Sequence, residues 1–519
     1  MEKLQLNKIN AVCFRQWTRK SYAVFNSLGR TIRIGVLSLS YSILVLPGYT
    51  QEQPDSSRTT ATESELELSE VVVSAQRAPV VQSQLMRVVQ VITRAEIEQA
   101  PATDVAGLLE HLRGVDIRQR GPFGMQADVS IRGGNFDQTL ILINGVNISD
   151  PQTGHHNLNL PVDLSSIQRI EVLQGPGARI FGPNAFNGVI NIITGEPAQR
   201  ELNVSVSGGQ YGFARASASL AAGTGKIHHF VGLNVAQSDG YIRNTDFKNA
   251  NLYYRGFIPA GNASFDLQGG YTVRAFGANS FYTPKYPDQF EQTRSEFLAL
   301  KFLPSGKINL KPVIYWRRHH DRFELFRSEA PSWYSGHNYH MTDVAGASLN
   351  WLKTGQSGKT SVGLDYRFEH IFSNVLGNEL AAPLAVPGEP GAQFTRSYQR
   401  ESLSLMAEQA YYLQKFSVSA GMLVHFNQSI PGGVSLYPGI DLGYQVNTHV
   451  RWYATGNRTL RLPTFTDLFY SGPTNIGNPD LKPEEAISLE TGLKGMVNRL
   501  HFELAVFRRW GRNMIDWAK

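Results

Sequence analysis

IRGGNFDQTLILINGVNISDP, residues 131–151, and IQRIEVLQGPGARIFGPNAFNGVINIIT, residues 167–194, carry the reading that decides the fold. Short apolar runs alternate here with corners rich in glycine and asparagine. VSIRG, TLILINGVNI, IQRIEVL and NGVINIIT each have the length and β-branched content of a strand. Asn144-Gly145 is a turn dipeptide between two of them. Gly175, Gly177 and Gly182 do not fit GxGxxG, and no Lys-Ser or Lys-Thr follows, so a phosphate-cradling loop is the weaker reading. Tight turns and close backbone packing account for these glycines. Just upstream, ATDVAGLLEHL spaces Val105, Leu108, Leu109 and Leu112 on one helical face, with Thr103 or Asp104 placed as the cap. Helix and strand signals together predict a small α+β domain over 78–197.

Beyond residue 200 the helical period gives way to alternation. TSVGLDYRFEH sets Val362, Leu364, Tyr366 and Phe368 against Gly363, Asp365, Arg367 and Glu369; ISLETGLKG and ASFDLQGGYTV do the same. A soluble sandwich also alternates. Three features favour a transmembrane β-barrel over 198–519: many strands in one block, tyrosine and tryptophan near strand ends, and unequal connections. Short turns such as AAGTGK contrast with long segments at 274–294, 318–341 and 372–398.

The start of the chain has another character. Seven basic residues precede Ile34–Leu46, an apolar run shorter than the roughly 20 residues of a spanning helix. A secretory signal peptide over 1–50 is expected, with a membrane anchor as the alternative. The single cysteine, Cys13, lies in that leader, so disulfides and thiolate metal sites do not organise the remainder. Residues 51–67 are polar and acidic and read as a flexible linker. The net charge of +6 is too small to argue for nucleic acid.

The quoted blocks, an IRG, a strand ending in an NGV turn and IEV..GP..GVINIIT, resemble the plug domain of TonB-dependent outer-membrane receptors. LRLPTFTDLFY and NIGNPDLKPEEAISLETGL, residues 460–493, resemble the barrel of the same family and are most similar to its BtuB-like cobalamin-receptor subgroup. The resemblance implies a transmembrane antiparallel β-barrel of about 22 strands with an N-terminal α+β plug, in the outer membrane of a Gram-negative bacterium. Only Lys482 to Lys519 follow Leu481, so a barrel incomplete at its C-terminal side is expected.

The resemblance also implies partners and sites. Within 68–77, SEVVVSA occupies the place of a TonB box: Ser69, Glu70, Val71, Val72, Val73, Ser74 and Ala75 would bind TonB of the inner-membrane energising complex as an added strand. An ordinary first plug strand is the alternative. Arg132, with Arg169 and Glu171 nearby, is expected to tie plug to barrel, although Gln174 stands where relatives often carry a basic residue. The plug apices should meet ligand through Arg120, Phe123, Met125, Gln126, Gln152, His155, His156 and Asn157; solvated loop histidines are the plainer reading of the His-His pair. Tyr282, Tyr286, His319, His320, Trp333 and Tyr334 are expected on outer loops. No metal set and no cofactor is assigned.

No GxSxG elbow or HExxH helix supports an enzyme. The stretch from LRLP to NPDL has no histidine, which argues against heme. Cobalamin is the expected ligand and a ferric siderophore the alternative, with room for a surface lipoprotein as a further partner.

Overall fold

The computed structural model describes residues 72–73, 80–81, 86–195, 200–305, 309–430, 432–472, 475–497 and 500–517. The expected signal peptide and linker lie outside the described residues, as do Ser69, Glu70, Val71, Ser74 and Ala75. Val72–Val73 (β1) pairs antiparallel with Val80–Val81 (β2), with Val72 opposite Val81.

The plug follows in the order β3 (Val89–Thr93), α1 (Arg94–Gln99), α2 (Val105–Glu110), β4 (Val115–Gln119), β5 (Ala127–Ile131), β6 (Thr139–Ile143), β7 (Val146–Asn147), β8 (Ile167–Gln174), α3 (Ala178–Phe181) and β9 (Gly188–Thr194). Helix α2 is shorter than the apolar spacing suggests. Asp104 starts it, accepting a hydrogen bond from Gly107 N–H at 3.0 Å, and Val105, Leu108 and Leu109 turn into the core. Five strands form one sheet in the order β3-β8-β9-β6-β7, in which β6 and β9 run parallel. Leu140, Ile141, Ile143, Ile170, Val172, Val189, Ile190 and Ile192 are wholly buried, so this sheet is apolar on both faces. Asn144 and Gly145 have φ of 49° and 81°, the left-handed pair that a two-residue hairpin needs.

Gly188 shows why the glycine block is required. A Cβ there would lie 2.5 Å from Ile131 Cδ1 and 2.6 Å from the Leu173 carbonyl oxygen, and the latter is backbone that cannot swing aside. Gly188→Ala is expected to destabilise the plug by about 1–3 kcal/mol, read as faster protease cleavage within the plug at fixed denaturant. Unchanged cleavage would mean that β8 and β9 have slack the packing does not show.

The remaining strands form a 16-stranded sheet: β10 (Glu201–Gly208), β11 (Ala214–Thr224), β12 (Ile227–Ser238), β13 (Phe247–Ala260), β14 (Ala263–Gly277), β15 (Phe290–Pro304), β16 (Leu310–Glu324), β17 (Asn338–Thr354), β18 (Gly358–Ser373), β19 (Asn378–Ala385), β20 (Gln393–Leu413), β21 (Phe416–Asn427), β22 (Val434–Gln445), β23 (Val450–Arg461), β24 (Glu484–Val497) and β25 (Leu500–Arg512). Apart from β19, each pairs antiparallel with its successor along the path. Within Leu384–Gln393, Val386 N–H donates to the Ala392 carbonyl.

The polarity of the sheet decides between sandwich and membrane barrel. Val362, Leu364 and Tyr366 are exposed, as are Ile487, Leu489 and Leu493, whereas Asp266, Gln268, Thr272, Ser488 and Glu490 are buried. A soluble sandwich buries its apolar face. This wall shows it to the outside and turns its polar face toward the plug, as a strand in lipid must. No helix among the described residues is long and apolar enough to cross a membrane.

The long connections are shorter than the sequence suggests. β16 continues to Glu324, so the loop after it is 325–337 rather than 318–341; within the expected 372–398 loop, Asn378–Ala385 is itself a strand. Polar, charged runs such as RRHHDRFE read as loop, yet they are strand with one polar face inward. At the opposite end of the sheet, β11 and β12 are joined by Gly225-Lys226 and β13 and β14 by Gly261-Asn262.

Candidate functional site

Under the long connections, the plug loop 149–159 meets the inner ends of β15 and β16. His156 lies between two wall carboxylates, with Nδ1 3.6 Å from Glu291 Oε1 and Nε2 3.4 Å from Asp321 Oδ2. Gln152 Nε2 donates to Asp321 Oδ2 at 2.7 Å, Tyr282 O–H donates to Glu291 Oε2 at 2.7 Å, and Gln126 Nε2 donates to the Tyr282 oxygen at 2.7 Å. His155 meets Asp128 at 2.6 Å through Nδ1 and stacks on Phe136. The His319 ring centroid lies 4.6 Å from that of His156. Thus Gln126, Gln152, His155, His156, Tyr282 and His319 converge in one polar cluster, buried at Gln126, Gln152, His156 and His319, half-buried at His155 and exposed at Tyr282.

Burial pulls both plug histidines toward neutrality, with opposite outcomes. For His156 the carboxylates of Asp321, Glu291 and Asp150 overcome it, and the imidazole is pushed up to about 9. For His155, burial prevails over the hydrogen bond to Asp128, and the pKa falls below the usual histidine value.

Other expected site residues are placed differently. Met125 is buried in an apolar cluster with Phe247, Phe276 and Phe281. Phe123 stacks on Phe213 at 4.4 Å. Arg120 bridges to Asp128 at 2.7 Å and donates to the Phe281 carbonyl. Asn157 is buried and accepts from Asp150 N–H at 2.9 Å, shaping the loop. His319 and His320 stand in β16, not in a loop. Successive strand residues face opposite sides, so His320 turns away from the cluster and contacts Arg294 at 2.6 Å. Farther out, Tyr286, Trp333 and Tyr334 gather around Phe326, whose ring centroid is 5.5, 5.5 and 5.3 Å from theirs.

Ion pairs hold plug to wall below this cluster. Arg132 meets Glu490 at 2.5 Å, and its Nε donates to the neutral Gln174 at 3.2 Å. Arg169 and Glu171 pair with each other at 2.8 Å. Two further pairs are more deeply buried: Arg87 and Arg179, the latter also singled out near Arg169 and Glu171 in the sequence, converge on Asp441 at 2.6 and 2.5 Å. The wall also reaches inward, Arg317 to Asp150 at 2.8 Å and Arg461 to Asp137 at 3.1 Å.

Arg461 links the two quoted regions of sequence. It serves Asp137, Asp467 and Glu484 together. Asp467 belongs to helix α4 (Phe465–Phe469), whose first N–H groups donate to the carbonyls of Pro151 and Gln152 in the plug loop. With one guanidinium among three carboxylates, burial prevails and Asp137 is pushed up to about 7. A carboxyl whose native pKa exceeds its unfolded value contributes stability that is full below about pH 4 and is lost as pH rises through about 7. Plug docking is therefore expected to be tighter at pH 5 than at pH 8, and Asp137→Asn should flatten that difference. Hydrogen exchange of residues 136–138 at the two pH values checks it, and equal slopes in variant and wild type would refute it.

Against this geometry, the TonB-dependent Receptor Plug Domain family matches residues 81–189, and the TonB dependent receptor-like, beta-barrel family matches residues 177–519. The chain belongs to the TonB-dependent receptor family. It is an outer-membrane transport protein of a Gram-negative bacterium, in a family of receptors and transporters rather than enzymes. The receptor is 26% identical over 460 residues to the vitamin B12 transporter BtuB of Vibrio vulnificus, covering 86% of this chain and 71% of that one. It is 24% identical over 459 residues to the vitamin B12 transporter BtuB of Photobacterium profundum, with the same coverage. Among solved structures it is similar to the siderophore receptor PirA from Pseudomonas aeruginosa, with TM-score 0.61, 18% identity, and 81% and 74% of the two chains covered. It is also similar to the copper transporter OprC, with TM-score 0.66, 17% identity, and 81% and 70% covered. At these identities the solved structures establish the fold alone.

Proposed function

We propose that this receptor imports cobalamin by TonB-coupled rearrangement of its plug, with Ser69–Ala75 as the segment that TonB grips. The observation that carries the ligand reading is similarity to BtuB proteins along 86% of the chain, plug and wall together. The outer cluster and the aromatic group around Phe326 suit a large ligand with apolar faces and polar edges. For the energy coupling, the support is the set of buried plug-to-wall ion pairs, which plug movement would have to separate at a cost of several kcal/mol. Val72 and Val73 are in extended pairing ahead of the plug, a backbone conformation that strand addition to TonB would use.

Binding of fluorescent cobalamin to the purified receptor tests the ligand. Saturable binding, weakened by Trp333→Ala and Tyr286→Ala, supports it. Absence of cobalamin binding beside tight binding of a ferric siderophore would replace it with the siderophore reading.

A further inference from the structure

We propose that His156, Glu291 and Asp321 form a binding site for one divalent first-row transition-metal ion, bridging the plug to the barrel wall. One donor atom from each lies within 4.8 Å of the others. An ion about 2.0–2.2 Å from each of several nitrogen and oxygen donors needs those donors roughly 3.3–3.6 Å apart. His156 Nδ1 lies 3.6 Å from Glu291 Oε1, already of that size, while Asp321 Oδ2 approaches the other ring nitrogen, Nε2, at 3.4 Å, so the ion would draw one carboxylate in toward the nitrogen that binds it. An imidazole with two carboxylates is a donor set for zinc, cobalt, nickel or manganese.

Unsatisfied donors supply the second observation. Glu291 Oε1, Asp321 Oδ1 and His319 Nε2 are all buried and find no hydrogen-bond partner among the described residues. Tyr282 occupies the other oxygen of Glu291, which leaves Oε1 facing His156. Gln152 fixes Asp321 through Oδ2. Such outer partners orient ligands in metal sites. Charge points the same way. Nearby Asp150 has Arg317 and Asp128 has Arg120, whereas no arginine or lysine pairs with Glu291 or Asp321 among the described residues. A dication balances two carboxylates; a protonated His156 balances one. The ion would bind a histidine of the part that moves to carboxylates of the part that stays, so the site acts as a latch whichever nutrient is carried.

Untagged full-length receptor in detergent, freed of metal with a chelator, is titrated with Co(II) by absorption and with Zn(II) by equilibrium dialysis. The expected result is one saturable equivalent, weakened more than roughly 100-fold by His156→Gln or Glu291→Gln and about tenfold by Gln152→Ala. His337→Ala, in the loop 325–337, should leave binding unchanged. Should the ligand variants not fold, the wild-type stoichiometry still decides. No saturable equivalent in wild type, or binding unaltered in folded His156→Gln and Glu291→Gln, overturns the site. Cobalamin binding takes no part in this test, so failure of the ligand reading is separate from failure of the metal site.

Discussion

Val72→Pro, introduced at the chromosomal locus of the native host, is expected to abolish energised uptake and leave ligand binding at the wild-type level. Proline removes the Val72 N–H and fixes φ near −65°, so an added strand loses that hydrogen bond and its neighbours. At about 1 kcal/mol each, two or three lost bonds weaken strand addition roughly 30- to 150-fold. Val72 pairs with Val81 ahead of the plug sheet, so the change leaves the five-strand core and the outer cluster alone. Val72→Ala keeps the N–H and should retain most uptake. Equal loss of binding and uptake in Val72→Pro would make the segment part of the plug's structure rather than a handle.

Asp441→Asn has the second large effect, on the opposite property. Asp441 is 1% exposed and receives both Arg87 and Arg179 from the plug. Arg87 also donates to the Pro176 carbonyl and to Asn457 Oδ1, and Arg179 lies 3.4 Å from Glu408, but neither arrangement replaces the lost charge. Removing one partner of a buried pair costs about 3–5 kcal/mol because the other charge stays buried. The plug should loosen from the wall. The readout is faster hydrogen exchange in residues 86–91 and greater outer-membrane permeability to large antibiotics, with exchange in 139–143 unchanged. Wild-type exchange at both segments would show that Arg87 and Arg179 do not anchor the plug.

Local elements of the fold were legible because each is encoded within a few residues. The Val105–Leu109 spacing with Asp104 before it, the Asn144-Gly145 turn and the four apolar runs all became structure where the sequence placed them. The pairs that assemble the site were not legible. Glu291, Asp321, Asp441 and Glu490 are polar alternates on strands, indistinguishable in one sequence from any other inward-facing residue. Their partners lie more than a hundred residues away, and local period carries no information on which strand faces which part of the plug. His320 is a different kind of miss, since a signal was present. Tyr315, Arg317, His319 and Asp321 alternate with Trp316, Arg318 and His320, and period two admits only one of the adjacent histidines to the interior. Reading RRHHDRFE as strand rather than loop would have selected His319 and found Asp321 beside it.

Accumulation of radiolabelled cobalamin in the native host, with TonB present and with TonB deleted, tests energy-coupled import most directly. The proposed function predicts accumulation that depends on this receptor and falls to surface binding alone when TonB is removed. Accumulation at the same rate in both strains would contradict it.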